Sequence, residues 1–94
     1  MEHNDTLIKV SGKSYVHLVA GSIAGAARQN VGGTVLVQAV GLEASYRALK
    51  AIIRAKAFLA DDGIALTFDV DYAGVVIGGE ERSAIRFTVE VRGK

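Results

Sequence analysis

Half of this 94-residue chain is hydrophobic and 22% is charged, enough apolar side chain for one folded domain and too little charge for a disordered one. It has no cysteine, which excludes a disulfide framework, a thiol nucleophile and a zinc finger. A net charge of +1 excludes the basic excess common in nucleic-acid-binding domains and leaves any such role to local clusters.

The start, Met1-Glu2-His3-Asn4-Asp5-Thr6, is polar and acidic and is read as a flexible segment, residues 1–6, of a single domain spanning 1–94. It lacks the pattern of a secretory signal, and no run of about 18 apolar residues predicts a membrane span, so the expected compartment is the cytoplasm. Leu7-Ile8-Lys9-Val10 reads as a short strand, punctuated by Ser11-Gly12. Val16, Val19, Ala20, Ile23, Ala24 and Ala27 then recur at helical spacing, with Ser14 placed to cap the helix. Gly21 and Gly25 each cost up to about 1 kcal/mol relative to alanine in a helix, which predicts close backbone approach by a neighbouring helix.

Asn30-Val31-Gly32-Gly33 ends helix one, and Thr34 to Val40 is nearly continuously apolar, as a central strand between parallel neighbours would be. From Glu43 to about Ala60 good helix formers dominate, with Ala48, Ile52, Ala55 and Leu59 as the inward stripe. Asp61-Asp62-Gly63 stops this helix. Ile64, Leu66, Phe68, Val70 and Tyr72 alternate with smaller and polar residues, the pattern of a half-buried strand. The apolar positions then shift by one at Val75 and Ile77, which predicts a bulge or break near Ala73-Gly74. Gly78-Gly79-Glu80-Glu81 turns the chain into a last strand carrying Ile85, Phe87, Val89 and Val91 on one face. The order is βαβαββ. Right-handed crossovers put both helices on one face of a four-stranded mixed sheet whose last two strands form a hairpin, giving an α/β two-layer sandwich.

The most informative junction is Lys13-Ser14, where strand one turns into helix one. A helix N-terminus offers free N–H groups and a positive dipole end to an anion, and a lysine beside it adds a full charge. Gly12-Lys13-Ser14 ends like a Walker A loop, but that loop needs a glycine where this chain has Leu7. On helix two, Arg47, Lys50 and Arg54 share one face and can follow a phosphate backbone, although Glu43 is spaced to pair with Arg47. Charge is segregated along the chain. Residues 43–60 hold Arg47, Lys50, Arg54 and Lys56 against Glu43, whereas 61–81 hold six acids and no base.

Other chemistry is weakly supported. Asp69, Asp71, Gly74 and Glu80 match positions of a calcium loop, but the fifth position is Ala73 and the flanks alternate as strands where helices are required. His3 and His17 have too few companions for a metal site, and Ser11 and Ser14 have no base partner. The expectation is a non-enzyme with no cofactor and no metal.

The stretch Lys13-Ser14-Tyr15-Val16-His17-Leu18-Val19-Ala20-Gly21-Ser22-Ile23-Ala24 resembles the signature of the stage V sporulation protein S family, Lys-Ser-x-Pro-Asn-x-Val-Ala-Gly-x-Ile-Ala, at seven positions. Two further blocks are similar to that family: Gln38-Ala39-Val40-Gly41 with Ala48-Leu49-Lys50-Ala51-Ile52, and Gly79 to Arg86. The family's Pro-Asn is replaced by Val16-His17 and its Leu-Asn-Gln on helix two by Ser45-Tyr46-Arg47, as in a divergent member. The resemblance implies an Alba-like fold, whose members bind DNA or RNA as dimers. It also implies that Lys13 contacts phosphate and that the final hairpin reaches along the nucleic acid. Here that hairpin, read as Ile77 to Arg82, is short and acidic at its tip, and Leu42 and Glu43 stand where Alba relatives carry arginines.

The expected function is therefore that of a small, dimeric, cytoplasmic nucleic-acid-binding protein with a role in sporulation or development. It would contact DNA or RNA phosphates at low specificity through Lys13, Ser14, Arg47, Lys50 and Arg54. The alternative is a protein-interaction module that keeps the fold without binding nucleic acid, with Leu36 and Val40 on the uncovered sheet face as its partner surface.

Overall fold

The computed structural model describes residues 6–93, and its elements are β1 (Thr6–Val10), α1 (Val16–Arg28), β2 (Thr34–Ala39), α2 (Leu42–Ala60), β3 (Ile64–Ile77) and β4 (Glu80–Gly93). The expected flexible start falls mostly on residues 1–5, outside the described residues, while Thr6 already belongs to β1. The strands form one sheet in the order β1-β2-β4-β3, with β1 parallel to β2 and both β2 and β3 antiparallel to β4. β2 is central, as its apolar run predicts, but only one neighbour is parallel; β4 inserts on its other side.

Register fixes which side chains share a face. Val35, Val37 and Ala39 of β2 lie opposite Val89, Phe87 and Ile85 of β4, and Val91 lies opposite Leu66 of β3. Both helices cover this side, and the core forms between Ile23, Ala24 and Ala27 of α1, Ala48, Ile52, Ala55 and Leu59 of α2, and these strand residues. Alanines dominate the buried helix faces, so each helix sits close to the sheet and to its neighbour, and a larger residue there would overpack. The predicted inward stripe of α2 is fully buried.

Two expectations about β3 are overturned. β3 has no bulge, because its pairing with β4 runs in unbroken register from Ile64↔Gly93 to Ile77↔Glu80. Val75 and Ile77 are out of phase because they lie on the open face, Val75 half-buried and Ile77 48% exposed. There the open face borders a hollow of about 390 Å³ lined by Lys9, Gln38 and Val40, so apolar side chains are wanted on that side. Nor is β3 half-buried. α2 covers only its first residues, leaving Leu66 buried and Phe68, Val70 and Tyr72 exposed on the helix side.

The open face is also less apolar than Leu36 and Val40 suggested, since both are half-buried. Between them Gln38, 8% exposed, accepts hydrogen bonds through Oε1 from Nε and Nη2 of the cross-strand Arg86 at 3.1 and 2.5 Å. That bidentate contact satisfies a buried amide oxygen and covers the sheet with a guanidinium.

The glycines of α1 have a different meaning from the one expected. A Cβ added at Gly21 or Gly25 would meet nothing within 4 Å, so neither mediates close helix approach. The turn glycines do carry a conformational demand: Gly78 and Gly79 have φ of 59° and 80°, the paired positive values of a two-residue hairpin turn that matches strand twist.

Candidate nucleic-acid interface

β1 and β2 run in parallel, so the loops leading into both helices emerge at the same edge of the sheet, and the functional candidates gather there. The β1–α1 loop is built by its own serines. Ser14 Oγ accepts from the Ser11 N–H at 2.9 Å and lies 3.2 Å from Ser11 Oγ, while Ser11 Oγ accepts from the Lys13 N–H at 3.1 Å. These contacts lock a tight loop with Lys13 exposed at its apex. They also correct the expected role of Ser14. The N-cap of α1 is Tyr15, which makes no side-chain capping bond, and the Ser14 hydroxyl is spent inside the loop. α1 thus begins without a side-chain cap and without an acid in its first turn, which leaves its first-turn N–H groups available to an anion beside Lys13.

α2 braces this loop. Arg47 Nη1 donates to the carbonyl oxygen of Ser14 at 2.9 Å, and Arg47 Nε donates to Glu43 Oε1 at 3.0 Å. Glu43 also packs against Gly12, where an added Cβ would lie 3.5 Å from its Cβ and Cγ. Arg47 is therefore tied to the loop that carries Lys13, while Glu43 balances Arg47 locally. Glu43 itself sits at the N-terminus of α2, where the dipole favours its charge.

The other two basic residues continue the face. Arg47 reaches toward α1, and Phe58 on the same side meets His17 of α1 edge-on at 6.1 Å between ring centroids. Lys50 and Arg54 follow Arg47 at i+3 and i+7 along that exposed side, with Lys50 Nζ held 5.2 Å from the Tyr46 ring centroid. Lys13, Lys50 and Arg54 form no ion pair among the described residues. The same residues contain no group of three or more metal-ligating side chains.

The final hairpin is longer than the sequence suggests. β2 pairs with β4 only over residues 85–90, so five β3–β4 pairs, from Ala73↔Ala84 to Ile77↔Glu80, run beyond it. At about 3.3 Å per residue this is an arm of about 16 Å, projecting from the edge that carries Lys13. Strand pairing extends to the two-glycine turn, which is why Glu80 and Glu81 belong to the arm and not to a loop. Arg82 on the arm is a basic residue that periodicity alone did not single out.

A family model described as stage V sporulation protein S matches residues 6–92. The chain belongs to the stage V sporulation protein S family. The match covers every described element except the end of β4, and membership supports a sporulation-related role. Among the described residues no helix is long and apolar enough to cross a membrane.

Proposed function

We propose that this member of the stage V sporulation protein S family is a small dimeric nucleic-acid-binding protein of the cytoplasm that contacts the phosphate backbone of DNA or RNA at low sequence specificity. The observation that carries the reading is the serine-locked loop presenting Lys13 beside the uncapped start of α1. Lys50 and Arg54, which form no ion pair among the described residues, continue the positive edge along α2. Backbone contacts of this kind position a protein without reading bases. The hairpin arm gives the same edge reach, although Glu80 and Glu81 against Arg82 limit its attraction for phosphate.

The test is a salt titration of binding to duplex DNA, single-stranded DNA and RNA. Affinity for the duplex falls with salt at a logarithmic slope of roughly −0.9 per neutralised phosphate, and Lys13→Glu flattens it by about one unit. Absence of binding to all three polymers at low salt overturns the proposal. It would favour the second reading, a protein-interaction module, which the balancing of Arg47 by Glu43 supports.

A further inference from the structure

Lys9, Gln38, Arg86 and Asp71 are successive cross-strand partners, one from each strand, and form a polar row across the open face of the sheet. Gln38 is the buried member of that row, and its amide is only half used. A guanidinium can only donate, so it is Oε1 that faces Arg86, and Nε2 makes no hydrogen bond among the described residues. Nε2 is nonetheless reachable from solvent, since no fully buried side-chain nitrogen or oxygen among these residues lacks a partner. Lys9, the neighbour of Gln38 on β1, is exposed and forms no ion pair among them. Two residues one strand spacing apart, roughly 4.8 Å, thus offer donors side by side with no acceptor.

Both line the hollow of about 390 Å³ on this face, and Arg86 does not, so the amino end of Gln38 is the end turned toward the hollow. Val40, Val75 and Ile77 form its apolar walls. The Ser11 hydroxyl at the rim is already engaged with Ser14 and with the Lys13 N–H. No acidic side chain belongs to the lining. The volume lies at the small end of the ~300–1,000 Å³ of small-molecule sites, and the mixture of apolar walls with a few convergent polar groups is the one such sites share.

We infer that this hollow binds a small aliphatic monocarboxylate, its carboxylate held between Lys9 Nζ and Gln38 Nε2 and its alkyl chain laid against Val40, Val75 and Ile77. A carboxylate has two oxygens that accept only, so it can meet both donors at once and neutralise the lysine. Inorganic phosphate would satisfy the donors but leave the apolar walls to water. A neutral amide of the same length would cover the walls but bring no counter-charge to Lys9. The inference is independent of the nucleic-acid reading, because neither Lys13 nor the basic face of α2 lines the hollow.

Titration of the isotope-labelled full chain with hexanoate, hexanamide and inorganic phosphate at constant ionic strength, followed by NMR, tests this. Hexanoate should shift the Gln38 side-chain amide together with the backbone amides of residues 9–12 and 75–77, saturating with a dissociation constant of the order of 1 mM or tighter. Hexanamide and phosphate should each bind at least about tenfold more weakly, and Lys9→Met should weaken hexanoate by a similar factor while Lys9→Arg retains it. Ile77→Asp, which sets a carboxylate into the hollow that holds Lys9, should also weaken hexanoate, whereas Lys13→Met should leave it unchanged. Lys9 and Ile77 are both exposed, so melting curves of these variants should stay close to that of the wild type. Absence of a saturable hexanoate shift, or a shift centred on Lys13 and lost in Lys13→Met, overturns the site. Hexanamide or phosphate binding as tightly as hexanoate, or full affinity in Lys9→Met, overturns the carboxylate as its ligand.

Discussion

Arg47 and Ser14 stand 33 residues apart, yet one hydrogen bond of 2.9 Å from Nη1 to the Ser14 carbonyl oxygen ties α2 to the loop that presents Lys13. The candidate interface is therefore a jointly built unit, with the loop shaped by its serines and held in place by a neighbouring helix. Arg47 serves this geometry first, since its second contact, Glu43, removes most of its charge from the local field.

From that arrangement Glu43→Gln should strengthen nucleic-acid binding severalfold at low salt while lowering stability by about 0.3–1 kcal/mol, the typical value of an acid at a helix N-terminus. The gain should vanish at high salt, where the field that Glu43 suppresses is screened. Parallel binding and denaturant curves for the variant and wild type check this; unchanged affinity at low salt would mean that Arg47 is not part of the interface field.

Gly21→Ala and Gly25→Ala should each stabilise the chain by up to about 1 kcal/mol, raising the melting temperature by roughly 4–8 °C for each kcal/mol gained. Both sites are helical with open space for a Cβ. Gly78→Ala should do the reverse, because φ of 59° in the hairpin turn is unfavourable for a side chain. Thermal melts of the three variants form one experiment with opposite signs built in.

Much of the fold was legible because its periodicities report burial on one side. Ala48, Ile52, Ala55 and Leu59 mark the inner face of α2, and the alternation in β3 and β4 names their helix-side residues. What misled is the assumption that each element has only one meaningful face. Leu42, Tyr46, Leu49 and Ile53 repeat as regularly as the core stripe, but composition dilutes them among charged neighbours, so the outer stripe passes for solvated surface. Val75 and Ile77 imitate a register slip because they lie on the open face, bordering the hollow shared with Lys9, Gln38 and Val40. Ser14 has the chemistry of a cap, and only the three-dimensional loop decides that its hydroxyl faces Ser11 instead. Lys13, Lys50 and Arg54 are exposed, as the strand-to-helix junction and the helical spacing lead one to expect, whereas the bracing contact of Arg47 joins segments far apart in sequence.

Arg86→Met should cost about 1–3 kcal/mol, because it strips both donors from the Oε1 of a largely buried glutamine. Adding Gln38→Met should recover part of the loss, since replacing both partners removes the unsatisfied oxygen. A double-mutant cycle by chemical denaturation measures the coupling. Losses that simply add would show that the pair contributes no more than two independent side chains.

The hairpin arm supplies the sharpest test of how the edge meets a polymer. Its outer pairs extend about 16 Å past β2, on the side of the sheet edge that carries Lys13. If the arm lies along the backbone, Glu80→Lys/Glu81→Lys should raise affinity for duplex at low salt and steepen the salt slope by about 1–2 units, each new cation displacing a counterion. The substitutions sit at exposed positions beside the turn and leave Gly78 and Gly79 untouched, so the melting temperature should barely move. Lys13→Glu in the same background should lose the slope contributed by the loop while keeping that of the arm. Affinity and slope unchanged by the double substitution would place the arm outside the contact and confine the interface to the Lys13 loop and the basic face of α2.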